Sequence, residues 1–136
     1  MDQPIVRFVE QMRGHTDCGV SAFAMCFGLS YAQALVMVAC VAPRVLTCGI
    51  TWRDLKKAAR KHGAKFKQVT RGIDVEDEDV EGILAVSFID AGQHISHAVY
   101  LKRGFIFDGR TSSVWDAGVY LSVHNADVES LLVRVA

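Results

Sequence analysis

The sequence predicts an α+β fold in which a helical layer precedes an antiparallel sheet. Helical patterns fill the first half of the chain, and short β-branched runs fill the second half. Because helices and strands do not alternate, a parallel sheet of βαβ units is not expected. The length of 136 residues and the 51% share of hydrophobic residues match one domain with one core. We therefore expect a single domain over residues 1–136.

The first predicted helix begins at Cys18 and is buried. Asp17 or Thr16 is its expected N-cap, whose side chain would accept from the free amides of the first turn. Small and apolar residues follow without a charged face, which is typical of a helix that packs on all sides. Gly28 ends this helix. A free cysteine is most often a buried packing residue, so a reactive role for Cys18 needs support from elsewhere in the chain.

Two further helices complete the predicted helical layer. Ser30 caps an apolar helix that runs from residue 31 to about residue 41 and stops before a proline. A loop over residues 47–49 then leads to Thr51, which caps the amphipathic helix WRDLKKAARKH. The inward residues of this third helix are predicted to be Leu55, Ala58, Ala59 and Trp52.

The second half of the chain supplies the strands. KFKQV is the first candidate, and the long β-branched run ILAVSFI is predicted to be central in the sheet. SHAVYL and FIFDG are joined by a short turn, and VWDAGVYLSV and SLLVRVA are the last two candidates. The six predicted strands begin at residues 65, 83, 96, 105, 114 and 130.

The predicted hairpin places a histidine and a carboxylate on one face of the sheet. If Arg103 and Gly104 occupy the two turn positions, His97 and Asp108 lie diagonally across the two strands. That distance is within reach of an imidazole ring and a carboxylate. The inference depends on register, because one residue more or less in the loop would put the two side chains on opposite faces.

These residue types suit nucleophilic catalysis. A thiol at a helix N-terminus feels the positive end of the helix dipole, which favours the thiolate. His97 would take the proton from Cys18, and Asp108 would fix the tautomer and orientation of the imidazole. The backbone N–H of Cys18 and the side-chain amide of Gln11 are available as donors to an oxyanion.

Four stretches of the chain share their pattern with one known family. They are Gln11 with DCGVSAFAM (17–25), SYAQAL (30–35), GITWRDLKKAARKHG (49–63) and SHAVYLKRGFIFDG (96–109). In this order they resemble the papain-like cysteine peptidase superfamily. The similarity is greatest to the small bacterial double-glycine peptidase domains, which process bacteriocin leaders.

The resemblance implies a role for each candidate residue. Cys18 would be the nucleophile, His97 the general base and acid, Asp108 the residue that orients the imidazole, and Gln11 the oxyanion-hole side chain. The family fold would pack a helical layer that carries the cysteine on an antiparallel sheet that carries the histidine and the acid. Gln11 lies seven residues before Cys18, one more than the family spacing, and Gly109 stands where the family often has proline.

The resemblance also implies a reaction, a cysteine hydrolase that cleaves peptide or isopeptide bonds through a thioester acyl-enzyme. The same triad supports deamidation or transfer to an amine, and a peptidase fold can also serve as a non-catalytic binding module. A protein or peptide is the expected substrate, and a protein partner could complete the substrate cleft. His94 is the alternative to His97, whereas His15 is more typical of a surface residue.

Composition argues against several other classes of function. Net charge is zero, so neither a nucleic acid nor a membrane partner is expected, and the apolar run AQALVMVACVA is too short to span a bilayer. The start MDQPIVRFVEQ shows no signal peptide, so we expect a cytoplasmic protein with four free thiols. There is no CxxC pair, and His94 with His97 does not complete a zinc site, so no metal or other cofactor is expected.

The remaining conspicuous residues have structural interpretations. Cys26, Cys40 and Cys48 are predicted to be core or loop thiols, and Trp52 and Trp115 to be packing residues. The basic stretch over residues 53–71 and the acidic stretch over residues 74–81 are predicted to be two solvated surfaces.

Overall fold

The computed structural model describes residues 3–12 and 16–135. It confirms the α+β class, because these residues form five helices and a six-stranded antiparallel sheet. The helices are α1 (Cys18–Phe27), α2 (Tyr31–Ala39), α3 (Val45–Cys48), α4 (Trp52–Lys61) and α5 (Ala117–His124). The strands are β1 (Lys65–Val69), β2 (Glu81–Asp90), β3 (Gln93–Lys102), β4 (Phe105–Asp108), β5 (Ser113–Asp116) and β6 (Asp127–Val135).

Helices α1, α2 and α4 begin at the residues that the sequence predicts and end within about two residues of the predicted ends. Residues 19–26 of α1 are all buried, and Gly28 ends the helix with a left-handed φ of 67°. The Ser30 hydroxyl accepts from the backbone N–H of Gln33, whose side chain accepts from the N–H of Ser30, and this capping box starts α2. Thr51 caps α4, which buries Leu55, Ala58 and Ala59 as predicted.

The sheet has the strand order β1-β6-β2-β3-β4-β5, so ILAVSFI lies in a central strand as predicted. In the β3–β4 hairpin, Lys102 is opposite Phe105. Arg103 and Gly104 fill the two turn positions with φ values of 52° and 80°, as a type I′ turn requires. The hairpin register predicted from the sequence is therefore confirmed.

Apolar side chains pack on both faces of the sheet. One face carries Ile83 and Tyr100, which pack with the helical layer formed by α1, α2 and α4. The other face carries Leu84 and Val99, which pack with Tyr120 of α5. Neighbouring strand residues thus enter different cores, as the two-residue period of a strand requires.

Two segments differ from the sequence prediction. VWDAGVYLSV is not one strand, because β5 ends at Asp116 and α5 begins at the next residue. The Asp116 side chain accepts from the N–H of Val119 and caps the helix, and the buried residues Ala117 and Tyr120 are three positions apart, as on one helical face. The predicted loop at 47–49 begins inside α3, a single turn that buries Val45.

No single helix among the described residues is long and apolar enough to cross a bilayer. Helices α1 and α2 meet that test only together, as a pair bent by 113°. The acidic residues at positions 74 and 76–79 are exposed, as expected of a solvated surface.

Candidate active site

Cys18 is the first residue of α1 and lies at the positive end of that helix. Its side chain is partly exposed, whereas the next eight residues are buried. The N–H of Ser21 donates to the carbonyl oxygen of Asp17 at 3.0 Å and begins the helical ladder. The amides before Ser21 have no acceptor within the helix. The thiol is therefore placed beside backbone N–H groups at the accessible end of a buried helix.

Asp17 occupies the N-cap position of α1, but its side chain makes no cap hydrogen bond, contrary to the sequence prediction. The carboxylate is fully buried. It accepts from the Tyr31 hydroxyl at 2.9 Å, the Met12 N–H at 2.7 Å and Gln11 Nε2 at 3.1 Å. A buried carboxylate needs several donors, and here they come from outside the helix. The side chain of Asp17 therefore leaves the N–H groups near Cys18 uncapped.

His97 and Asp108 form a buried pair on the β3–β4 hairpin. His97 Nε2 lies 2.8 Å from Asp108 Oδ1, and both side chains are almost fully buried. Because Nε2 faces the carboxylate, Nδ1 is the ring nitrogen left for Cys18. The Phe88 ring packs edge-on against the imidazole, with ring centroids 6.4 Å apart. The diagonal pair predicted from the hairpin register is present.

Two more donors hold the carboxylate of Asp108. The Tyr120 hydroxyl donates to Oδ2 at 2.8 Å, and the Arg110 backbone N–H donates to Oδ1 at 2.9 Å. Burial by itself raises the pKa of Asp108, but the bond to His97 and its charge, followed by the Tyr120 and Arg110 bonds, lower that pKa overall. Asp108 is therefore an ionised acceptor for the imidazole at neutral pH.

Cys18 and Asp108 together control the protonation of His97. Burial by itself lowers the pKa of His97. Side-chain hydrogen bonds with Asp108 and Cys18, and the charges of both groups, outweigh burial and raise the pKa to about 9. The imidazole is therefore protonated at neutral pH, with the thiol as one partner and the carboxylate as the other.

Gln11 lies beside the start of α1 but not in the cleft wall. Its Nε2 donates to Asp17 Oδ1, and its backbone N–H donates to the carbonyl oxygen of Gly109 at 2.9 Å. These bonds join the N-terminal segment to the residue before Cys18 and to the end of β4. Gln11 does not belong to the described residues that line the cleft.

A cleft of about 610 Å³ opens beside Cys18 and His97. Residues of α1, β2, β3 and β6 and of the segment from Cys48 to Leu55 line it. The Thr16 hydroxyl donates to the carbonyl oxygen of Leu46 at 2.7 Å and ties α3, which ends where that segment begins, to the start of α1. The small and apolar wall residues include Gly19, Ile50, Ala85, Val86 and Ala98.

His94, the alternative to His97, has no comparable position. His94 is exposed and lines the cleft, but the carboxylate of Asp108 bonds to His97. His97 is therefore the histidine with an acid partner. The prediction for His15 lies outside the described residues.

The other three thiols are not part of the triad. Cys26 is buried within α1, and burial, with Glu81 as a second cause, raises its pKa to about 12. Cys40 and Cys48 are exposed, and Cys48 also lines the cleft. All four cysteines are free. Within residues 3–12 and 16–135, no group of three or more His, Cys, Asp or Glu side chains could hold a metal ion.

Three residues that contribute to this region were not predicted from the sequence. Tyr120 is missed because its segment is predicted as a strand, and the Asp116 cap ahead of AGVYLSVH is the signal that would have found it. Tyr31, which donates to Asp17, has no signal beyond its place at the start of α2. Glu129 lines the cleft, and nothing in its sequence neighbourhood indicates that position. Trp52, predicted as a packing residue, also lines the cleft.

The chain matches no protein-family model and no curated protein sequence. Its function therefore has to be inferred from the geometry and chemistry of its own residues.

Proposed function

We propose that this protein is a cysteine hydrolase that cleaves peptide or isopeptide bonds with the triad Cys18, His97 and Asp108. The observation that carries the proposal is the position of the His97 ring. It lies 2.8 Å from Asp108 Oδ1 and lines the same cleft as Cys18, and Cys18 is one of the groups that raise the pKa of His97. A cysteine on a helix and a histidine with its acid on an antiparallel sheet also support a place in the papain-like superfamily.

Acylation begins with the Cys18 thiolate, which the adjacent imidazolium stabilises. The sulfur attacks the carbonyl carbon of the scissile amide, and the carbonyl electron pair moves onto the oxygen. The N–H groups at the start of α1 are the proposed donors to this oxyanion, whereas the side-chain amide of Gln11 donates to Asp17. His97 gives its proton to the leaving amine as the C–N bond breaks, which leaves a thioester on Cys18.

Deacylation returns the enzyme to its starting state. The now neutral His97 takes a proton from a water molecule, whose oxygen attacks the thioester carbonyl carbon. The C–S bond breaks, a carboxylic acid leaves, and the thiolate again faces an imidazolium. Asp108 keeps the imidazole in the required tautomer through both steps, because its carboxylate bonds to Nε2.

The setting we propose is a reducing one, the cytoplasm, because the reaction needs a thiolate and all four cysteines are free. The substrate is a peptide or protein segment that lies in the cleft between the helical layer and the sheet. A partner protein that extends the cleft walls would be compatible with the open shape of the site.

The first test compares Cys18 with the exposed thiols of the same chain. With iodoacetamide near pH 6, we expect Cys18 to be alkylated at least about tenfold faster than Cys40 or Cys48, because its thiolate is paired with an imidazolium. Solvent exposure alone predicts that Cys40 and Cys48 react faster than Cys18, since both are exposed and Cys18 is only partly exposed. His97→Gln should abolish the advantage. Equal rates at the three cysteines, or an advantage that survives in His97→Gln, would contradict the proposal.

A second test identifies the reaction. A peptide library from a digested proteome is incubated with the protein, with Cys18→Ala as the control, and examined by mass spectrometry. Two fragments that together gain one water indicate hydrolysis, whereas conversion of side-chain amides to acids indicates deamidation. If neither occurs and Cys18→Ala and His97→Ala bind a partner as well as the unchanged protein does, the fold serves as a binding module instead.

A further inference from the structure

Glu129 brings a carboxylate into the cleft that contains Cys18 and His97. It is the only aspartate or glutamate among the described residues that line the cleft, and no described lysine or arginine lines it. Apart from the two triad members, the ionisable residues there are Glu129, His94 and Cys48. Glu129 therefore contributes the one carboxylate among the described residues of a cleft that also contains the imidazoles of His94 and His97.

A β-bulge accounts for the position of Glu129. Ala85 of β2 is opposite Ser130 of β6, but the next residue, Val86, is opposite Val128. Glu129 is the extra residue between these two pairs. Bulges of this kind redirect a side chain and are common next to active sites. The neighbouring Ser130 accepts from Trp52 Nε1 at 2.5 Å, and Trp52 also lines the cleft.

The contacts of Glu129 hold its side chain without neutralising it. The hydroxyl of the buried residue Ser87 donates to Oε1. No ion pair within residues 3–12 and 16–135 includes Glu129. Glu129 is exposed and lines the same cleft as the indole ring of Trp52, which bonds to the next residue along β6. A carboxylate oriented by a neutral donor in one cleft with an indole ring has the chemistry that recognises a lysine or arginine side chain. The ring packs against the aliphatic stem and attracts the cation, and the carboxylate pairs with the charged end.

We propose that Glu129 and Trp52 form a subsite for a lysine or arginine side chain of the peptide substrate. This inference rests on the proposed function of the same cleft and adds to it the class of residue that is recognised. The subsite lies in the cleft that opens at Cys18, so it would select segments with a basic residue near the bond that is cleaved.

The experiment uses acetylated peptide acyloxymethyl ketones that place lysine, norleucine or glutamate at successive positions before the reactive group. Acetylation removes the terminal ammonium, so only the side chain differs in charge. The rate of Cys18 labelling is divided by the iodoacetamide rate of the same variant, which corrects for any change in thiol reactivity. We expect the lysine reagent to be about fivefold faster than the norleucine reagent at one position, as for a partly exposed ion pair beside an aromatic ring.

Variants of Glu129 separate charge from shape. Glu129→Gln keeps an acceptor for Ser87 and should reduce the lysine preference to about one, and Glu129→Lys should shift it toward the glutamate reagent. Asp127→Asn is the matched control, because Asp127 is exposed on the same strand but does not line the cleft. Asp127→Asn should keep the full preference for the lysine reagent over the norleucine reagent. Equal rates for lysine and norleucine at every position, or a preference that survives in Glu129→Gln, would overturn the subsite.

The two proposals fail in different ways. If Cys18 shows no enhanced reaction with iodoacetamide, the proposed hydrolase is wrong whatever the reagents show. Binding to Cys18→Ala then tests the subsite by itself, with acetylated lysine and norleucine peptides long enough to occupy the whole cleft. Tighter binding of the lysine peptides that is lost in Glu129→Gln supports the subsite, and equal binding overturns it.

Discussion

At the scale of single residues, the site depends on how Asp108 is held. The carboxylate is buried, which by itself opposes ionisation, and three donors offset this cost. One donor is His97, and the others are the Tyr120 hydroxyl and the Arg110 backbone N–H. A carboxylate fixed in this way fixes the imidazole in turn, so Tyr120 acts on His97 through Asp108 and is a positioning residue.

Substitution of Tyr120 tests this role. Tyr120→Phe removes a hydrogen bond to a buried charge and should lower the free energy of unfolding by about 1–2 kcal/mol at neutral pH. Because Asp108 would then orient His97 less firmly, the alkylation advantage of Cys18 over Cys40 should also fall. Tyr100→Phe is the matched control, since Tyr100 is an equally buried tyrosine that packs in the core on the other face of the sheet.

The two readouts distinguish positioning from simple packing. Tyr100→Phe is expected to leave the Cys18 advantage intact, whatever its effect on stability. If Tyr120→Phe lowers the free energy of unfolding but leaves the Cys18 advantage unchanged, Tyr120 has only a structural role.

At the scale of elements, three segments meet at Gly109, next to Asp108. The carbonyl oxygen of Gly109 accepts from the N–H of Gln11, so the end of β4 is joined to the N-terminal segment. A Cβ at Gly109 would lie 2.1 Å from Ser21 Oγ of α1 and 2.9 Å from the carbonyl oxygen of Val9. Only a residue without a side chain lets β4, α1 and the N-terminal segment approach this closely. The proline frequent at this position in the papain-like family would not fit here.

Gly109→Ala should therefore separate these elements. Overpacking against backbone and a buried hydroxyl should reduce the free energy of unfolding by about 1–3 kcal/mol in denaturant titrations. Because Asp108 is the adjacent residue, the iodoacetamide advantage of Cys18 should decrease in parallel.

Gly118→Ala is the control for a generic effect of adding a methyl group. A Cβ there meets Oε1 of Glu76 at 2.4 Å, but Glu76 is exposed and its flexible side chain can move away. Alanine also favours the helix α5 over glycine, so no loss of stability is expected. If both substitutions destabilise the protein equally and leave Cys18 unaffected, the close approach at Gly109 is not what positions Asp108.

At the scale of the whole molecule, the site joins the two layers of the fold. Cys18 belongs to the helical layer, and His97 and Asp108 belong to the sheet. The cleft opens where these layers meet. The protonation of His97 is therefore linked to whether the layers are assembled, because its pKa is about 9 in the folded protein and its ordinary value is 6.5.

This linkage predicts how stability depends on pH. Between about pH 6.5 and 9 His97 is protonated in the folded state and neutral in the unfolded chain, so its contribution to the free energy of unfolding should fall as pH rises. The contribution of His97 is fully present below pH 6.5 and is lost as pH rises through 9, with a slope of at most about 1.4 kcal/mol per pH unit. Denaturant titrations across this range should show the fall, and His97→Gln should lack this part of it.

Two variants make the measurement specific. His62→Gln replaces an exposed histidine and should leave the dependence of the free energy of unfolding on pH unchanged. Cys18→Ala removes one of the groups that raise the pKa of His97, so the fall should occur at lower pH. If the free energy of unfolding changes with pH in the same way for the unchanged protein and for His97→Gln, the link between folding and the protonation of His97 is contradicted.

Features that depend on neighbours along the chain were predictable from the sequence. The caps at Ser30 and Thr51, the buried face of α4 and the two-residue turn at Arg103-Gly104 are local, and the structure has each of them. That turn sets the register of β3 and β4, so the His97–Asp108 pair was also predictable. Local patterns failed at α5, because VWDAGVYLSV is as apolar and β-branched as a strand, and burial of Ala117 and Tyr120 decides its conformation.

Which distant groups meet depends on how the helices and the sheet pack together. The Asp17 side chain turns from its helix to Tyr31 and Gln11, Tyr120 reaches Asp108 from α5, and a bulge in β6 brings Glu129 into the cleft. The apposition of Cys18 with His97 is of the same kind, since they are separated by most of the chain. Such contacts arise when helices and sheet pack their apolar faces together, and the position of one packed element on another is not contained in the pattern of either element alone.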